Sequence, residues 1–135
     1  MAPHVLYVDD EPSIVSLAQR ILQRAGMRVT GESDPTRAWE EFRSDPWSFD
    51  VIFTDCNMPD MSGFTLISKI RDLRADIPVY MVCAGIQDNE TQLLTKFEVK
   101  ELIHKPDIIT PLRRIAEYLT GDLLATKPAA SVLIN

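Results

Sequence analysis

Asp9, Asp10 and Glu11 stand in a row ahead of Pro12, Asp55 ends an apolar run, and Lys105 precedes Pro106. Carboxylates this far apart act together only if the fold gathers them. If Asp9, Asp10 and Asp55 share one crevice, each like-charge pair at ~4 Å costs roughly 4 kcal/mol at an effective dielectric of ~20. A divalent cation is the simplest compensation, and an all-oxygen ligand set with few protein donors suits Mg²⁺. Lys105 adds a further positive charge. A metal and a lysine facing a carboxylate are what phosphoryl transfer requires: they neutralise the phosphoryl oxygens while a carboxylate oxygen attacks phosphorus and forms an acyl phosphate. Each piece alone has an ordinary explanation. The first three acids could favour the positive end of a helix, Asp55 could open a turn, and Lys105-Pro106 could be a loop. Their joint occurrence at the ends of three strands is what argues for a site.

The elements that must position these residues follow from hydrophobic period. Val5 to Val8 reads as a buried strand, and Ile14, Leu17, Ala18, Ile21, Leu22 and Ala25 have helical spacing. Pro12 suits the first turn of that helix and Gly26 its stop. Met27 to Gly31 is a weaker strand. Asp34-Pro35 predicts a capped helix burying Ala38 and Phe42 and ending near Asp45-Pro46. Val51 to Phe53 is a third strand running into Thr54-Asp55, followed by a turn over Asn57 to Gly63. Phe64, Ile67, Ile70 and Leu73 mark a third helix, Ile77 to Val82 a fourth strand, and Gln87 to Phe97 a fourth helix. Glu101 to His104 is a fifth strand, less apolar and so nearer an edge. Thr110-Pro111 predicts the start of a last helix with Leu112, Ile115 and Leu119 on one face.

Strand and helix thus alternate five times. Strands apolar on both faces and joined by helices imply an α/β fold, a five-stranded parallel sheet covered on both sides. Right-handed crossovers favour the flavodoxin-like order 2-1-3-4-5, with function in the crevice beyond the carboxyl ends of the strands. That order makes the first and third strands neighbours and brings Asp9, Asp10 and Asp55 together, with Cys83 and Ala84 after the fourth strand and Lys105 after the fifth. Residues 1–121 form the predicted domain, and residues 122–135 read as a tail or linker.

The chain has 135 residues and a formal net charge of -6. The acidic balance argues against nucleic-acid binding, which needs clustered Lys and Arg, and against anionic membranes. No signal peptide or membrane-spanning run is visible, so a cytoplasmic protein is expected. Cys56 and Cys83 are the only cysteines. They lack metal-ligand spacing and are expected as separate packed thiols rather than a disulfide, with Cys83 facing the carboxylates and Cys56 pointing away from them.

Val8-Asp9-Asp10-Glu11-Pro12, Thr54 to Gly63 and Lys105-Pro106 resemble the signatures of response-regulator receiver domains of bacterial two-component systems. The resemblance covers residues 4 to 120, and the stretch after Pro12 is similar to receivers attached to hybrid sensor kinases. It implies a phosphoacceptor at Asp55, fed by a phosphohistidine of a sensor kinase or histidine phosphotransfer protein, in a reaction needing Mg²⁺ (or Mn²⁺). It implies Asp10, Asp55 and the Asn57 backbone carbonyl as metal ligands, with Asp9 acting through water. Lys105 and the Ala84 backbone would hold the phosphoryl group, the bond before Pro106 would be cis, and Gly63 would begin the third helix. The domain would be a signalling switch rather than an enzyme, with a homodimer left open.

Two positions depart from the family pattern. Cys83 replaces the usual Thr or Ser, and Leu102 replaces the usual aromatic. A thiol is a weak donor. A neutral hydrogen bond contributes about 0.5–1.5 kcal/mol, and a switch of this kind turns on a gap of a few kcal/mol. Phosphorylation is therefore expected to remain while its readout is weakened or rerouted. Two other classes compete. A phosphorylation-independent interaction module keeps the fold without the switch. A phosphatase with an aspartyl nucleophile of the haloacid-dehalogenase kind would need Asp-x-Asp, but the second position is Asn57.

Overall fold

Leu6 and Val8 point to one face of the first strand and Val5 and Tyr7 to the other, and all four are fully buried. Such a strand is stable only inside a sheet covered on both sides. The computed structural model, which describes residues 2–121, contains that sheet. In chain order the elements are β1 His4–Val8, α1 Pro12–Arg24, β2 Arg28–Glu32, α2 Pro35–Ser44, β3 Val51–Asp55, α3 Gly63–Leu73, β4 Val79–Cys83, α4 Thr91–Lys96, β5 Val99–His104 and α5 Ile109–Leu119. The strands are all parallel, in the order β2-β1-β3-β4-β5. Residues 122–135, read above as a tail or linker, lie outside the described residues.

Two cores flank the sheet. Ala18 and Leu22 of α1 and Leu112, Ile115 and Ala116 of α5 pack against Val5, Tyr7, Val51, Phe53, Tyr80 and Val82. Residues of α2, α3 and α4 (Phe42, Leu66, Ile67, Ile70 and Leu94) pack against Leu6, Val8, Ile52, Val79 and Met81. Full burial of one such side chain contributes about 1.5–3 kcal/mol. Truncating Phe53 to alanine would cost about 3–5 kcal/mol, because a cavity adds to the lost transfer energy. Among the described residues, no helix is long and apolar enough to cross a membrane.

Local chemistry sets the helix starts. Asp34 accepts a hydrogen bond from the Thr36 amide at 2.9 Å with Pro35 in the first turn, and Ser62 accepts from the Thr65 amide. Two starts differ from the sequence reading. The last helix begins at Ile109, because Ile108 is buried and anchors the turn two residues earlier than Thr110. The expected helix over Gln87 to Phe97 divides into a 3₁₀ turn, Asp88–Glu90, and the six-residue α4. Gln87 and Glu90 satisfy each other's backbone amides in a capping box, which closes the turn before α4.

Candidate phosphoryl-transfer site

β1 and β3 are in register with Val8 opposite Thr54, so the next residues, Asp9 and Asp55, meet at the carboxyl edge of the sheet. Asp9 is fully buried, Asp55 is 5% exposed, and Asp10 is half-buried. Each of Asp9, Asp10 and Asp55 offers an oxygen within 4.8 Å of the others, forming the one acidic group of metal-holding size among the described residues. β5, carried to this edge by β4, delivers Lys105. Its Nζ lies 2.9 Å from Asp9 Oδ2, 3.4 Å from Asp55 Oδ2 and 3.7 Å from Glu11 Oε1.

Backbone groups aim these side chains. The Cys56 amide donates to Asp55 Oδ1 at 2.7 Å, the Glu11 amide donates to Asp9 Oδ1 at 2.9 Å, and the Lys105 amide donates to the Cys83 carbonyl at 2.9 Å. The Lys105–Pro106 bond is cis. Gly63 starts α3 directly against Asp55: its amide bonds the Cys56 carbonyl at 2.8 Å, and a Cβ there would lie 1.9 Å from the Asp55 carbonyl oxygen. Asn57 is exposed just beyond Cys56, and Ala84 is exposed just beyond β4. Asp60, in the turn before α3, has a φ of 70°, a region that Asp tolerates better than most residues.

Electrostatics mark the site as under-neutralised. Burial, then the charge of Asp9, raises the Asp55 carboxyl from 3.8 to about 6, against the opposing pull of Lys105 and the Cys56 amide. Burial likewise raises Asp9, although Lys105 and the Glu11 amide pull it down. Burial alone would lower the Lys105 ammonium, but its close pairing with Asp9, aided by Asp55, raises it overall. Asp9 Oδ2 is buried and accepts no well-aligned hydrogen bond, its contact with Lys105 being an ion pair. The crevice beside Asp10 is small, about 190 Å³, and lined by Ser33, Asp34, Pro35, Pro59 and Asp60 as well.

The cysteines correct the sequence reading. Cys56 and Cys83 are not separate thiols: they are joined as a disulfide, with Cα atoms 5.4 Å apart. Cys83 shares the core face of Val79 and Met81, which α2, α3 and α4 cover, rather than facing the carboxylates. The pairing follows from the register of the sheet. β3 and β4 are neighbours with Asp55 opposite Val82, so the residues that follow each are opposite too. Leu102 lies half-buried against the same core, and His104 is an exposed strand-end residue. Glu11 as a third acidic partner of Lys105 was also missed, and its place next to Asp10 was the only signal for it.

The sequence model of the response regulator receiver domain matches residues 5–116. Response regulator SaeR of Staphylococcus epidermidis is 31% identical over 103 residues, covering 76% of this chain and 44% of SaeR. Two-component response regulator ORR21 of Oryza sativa is 38% identical over 115 residues, covering 85% of this chain and 16% of ORR21. The chain thus spans less than half the length of these curated relatives. Among solved structures, a response regulator receiver domain protein from Clostridium thermocellum aligns with a TM-score of 0.76 at 25% identity, covering 93% of this chain and 99% of that one. Chemotaxis protein CheY4 of Vibrio cholerae aligns with a TM-score of 0.73 at 26% identity, with the same coverage. A matching family model over most of the chain, the 2-1-3-4-5 parallel sheet and these relatives agree: the chain belongs to the response regulator receiver domain family, the signalling domain of two-component systems.

Proposed function

We propose that the domain accepts a phosphoryl group on Asp55 from a phosphohistidine of a sensor kinase or histidine phosphotransfer protein. The observation that carries this reading is the convergence of Asp9, Asp10 and Asp55 within 4.8 Å, with the Lys105 ammonium 3.4 Å from Asp55. The donor set fits Mg²⁺: all oxygen, excess negative charge, and a buried Asp9 oxygen without an aligned hydrogen bond. Asp10, Asp55 and the Asn57 carbonyl would hold the ion, with Asp9 reaching it through water. Bound there, the ion supplies positive charge to the phosphoryl oxygens.

The chain's own groups do the rest. The Cys56 amide holds Asp55 Oδ1, which leaves Oδ2 to attack phosphorus. The donor histidine nitrogen leaves as the Asp55 acyl phosphate forms. Lys105 would pair with a phosphoryl oxygen, and the Ala84 amide would hold another. Asp9 keeps Lys105 charged and in place. The small crevice beside the carboxylates suits a histidine presented on a protein surface better than an engulfed small substrate. Cys83 and Leu102 form an atypical switch pair. Residues 1–121 are the functional unit and residues 122–135 a tail or linker, and the domain works in the cytoplasm.

The test is intact mass after incubation with Mg²⁺ and acetyl phosphate. One phosphate is expected on the wild type and none on Asp55→Asn. No adduct, together with no response to beryllium fluoride, would favour a phosphorylation-independent interaction module, the reading that Cys83 and Leu102 support.

A further inference from the structure

We propose that Cys56 and Cys83 form a reversible redox-modification site that decides whether phosphorylation of Asp55 is transmitted to the segment between β4 and α4. The proposal rests on the phosphoacceptor reading above.

The position of the pair carries it. The two cysteines are the only ones in the chain, and both are buried. Cys56 directly follows Asp55, and Cys83 is the last residue of β4. Their Cα separation of 5.4 Å suits a disulfide without backbone movement. A domain of this size, with a core on both faces of its sheet, does not need a staple for stability. Here the bridge instead joins the two backbone units that aim the reactive groups. The Cys56 amide holds Asp55 Oδ1, and its carbonyl holds the start of α3. The Cys83 carbonyl holds the Lys105 amide.

Cys83 is also the root of a largely exposed stretch near the site, in which Ile86 alone packs on the core before α4. Ala84, Gly85, Gln87, Asp88 and Asn89 are exposed, and α4 buries only Leu94. With the bridge closed, that root is tied to β3, and neither sulfur carries a proton to donate. With it open, Cys83 regains an S–H group and a side chain free to turn. The reaction balances as thiol–disulfide exchange. Cys56 and Cys83 give up two protons and two electrons as the S–S bond forms, and a low-molecular-weight disulfide takes them and leaves as two thiols. A dithiol reductant reverses it. Because both sulfurs are buried, each exchange requires the β4–α4 segment to open, so the state persists between exchanges.

The full chain should be treated with glutathione disulfide or with a reductant, freed of reagent, then denatured, alkylated and weighed. The oxidised sample should carry two fewer alkyl groups. Each form is next given Mg²⁺ and acetyl phosphate, with phosphate counted by mass and amide exchange followed over residues 84–97. Both forms should take one phosphate. Phosphorylation should change exchange in that segment by about fivefold or more in the reduced form and leave it unchanged in the oxidised form. Cys56→Ala, which lacks the bridge, should respond alike under both treatments, and the wild-type comparison stands even if that variant does not fold. Two alkylatable thiols after oxidant, or equal exchange responses in the two wild-type forms, would overturn the proposal. Phosphate uptake with no redox difference overturns this proposal alone, whereas uptake by neither form overturns the phosphoacceptor reading as well.

Discussion

Lys105 Nζ stands closer to Asp9 Oδ2, at 2.9 Å, than to Asp55 Oδ2, at 3.4 Å. The ammonium thus forms its closest ion pair with the fully buried carboxylate, while its hydrogen bond goes to Asp55. That arrangement keeps Asp9 from being an unpaired buried charge.

Removing the ammonium should therefore be felt first as lost stability. Lys105→Ala in EDTA should lower unfolding free energy by about 3 kcal/mol, the scale of leaving a buried charge without its partner. Mg²⁺ should recover most of that loss, because a divalent ion brings back positive charge among the same oxygens. Urea unfolding with and without Mg²⁺ measures both, and a variant as stable as wild type in EDTA would contradict the assignment.

Asp55→Asn should stabilise the domain, in a manner set by pH. The folded carboxyl holds its proton to about 6, against 3.8 ordinarily. Below pH 4 both folded and unfolded states are protonated, and the substitution should gain nothing. Between pH 4 and 6 the folded state ionises later than the unfolded one, so ionisation increasingly opposes folding. Above pH 6 the full penalty applies, on the order of 2 kcal/mol after allowing for water at the rim of the site. Thermal melts of both proteins at pH 4 and pH 8 without metal should show the gain only at pH 8.

A second carboxyl, at the end of β2 beside Asp9, behaves the same way. Burial, then the hydrogen bond and charge of Glu41, raises Glu32 from 4.5 to about 7. Its ionised form opposes folding, so the domain loses stability as pH rises from about 4.5 to 7. Glu32→Gln should melt higher than wild type at pH 8 and alike at pH 4. Equal melting temperatures at pH 8 would show that the Glu32 and Glu41 side chains do not share a proton.

Gly63→Ala should disturb the site without touching any reactive group. The added methyl would press on the Asp55 carbonyl and the Cys56 Cα, neither of which can turn aside. Destabilisation of about 2 kcal/mol or more is expected, together with slower uptake of phosphate from acetyl phosphate. Gly85→Ala is the control, since nothing lies within 4 Å of a Cβ there.

The sequence carried the gathering of Asp9, Asp10, Asp55 and Lys105, because each sits at a strand end and strand ends are visible as the close of an apolar run. Strand order followed from the alternation of periods. Three features needed coordinates. The cysteine pair depends on register between β3 and β4, which apolar runs do not specify to a single residue. α4 was read as too long because Leu93, Leu94 and Phe97 supply only one turn of apolar spacing, and the capping box that ends the 3₁₀ turn uses Gln87 and Glu90, ordinary surface residues. Glu11 joins Lys105 only because the side chains of two separate strand ends lean toward each other.

Arg71, on the outer part of α3, shapes how α4 can move. Its guanidinium donates to the carbonyls of Phe97 and Glu98 beyond α4 and to those of Ala75 and Ile77 before β4. The far end of α4 is therefore tied to α3, while its near end follows the Ala84–Gln87 stretch, in which Ile86 is the residue packed on the core. Any displacement of α4 would therefore pivot on the end that Arg71 holds, leaving the end nearer Cys83 as the one with room to travel.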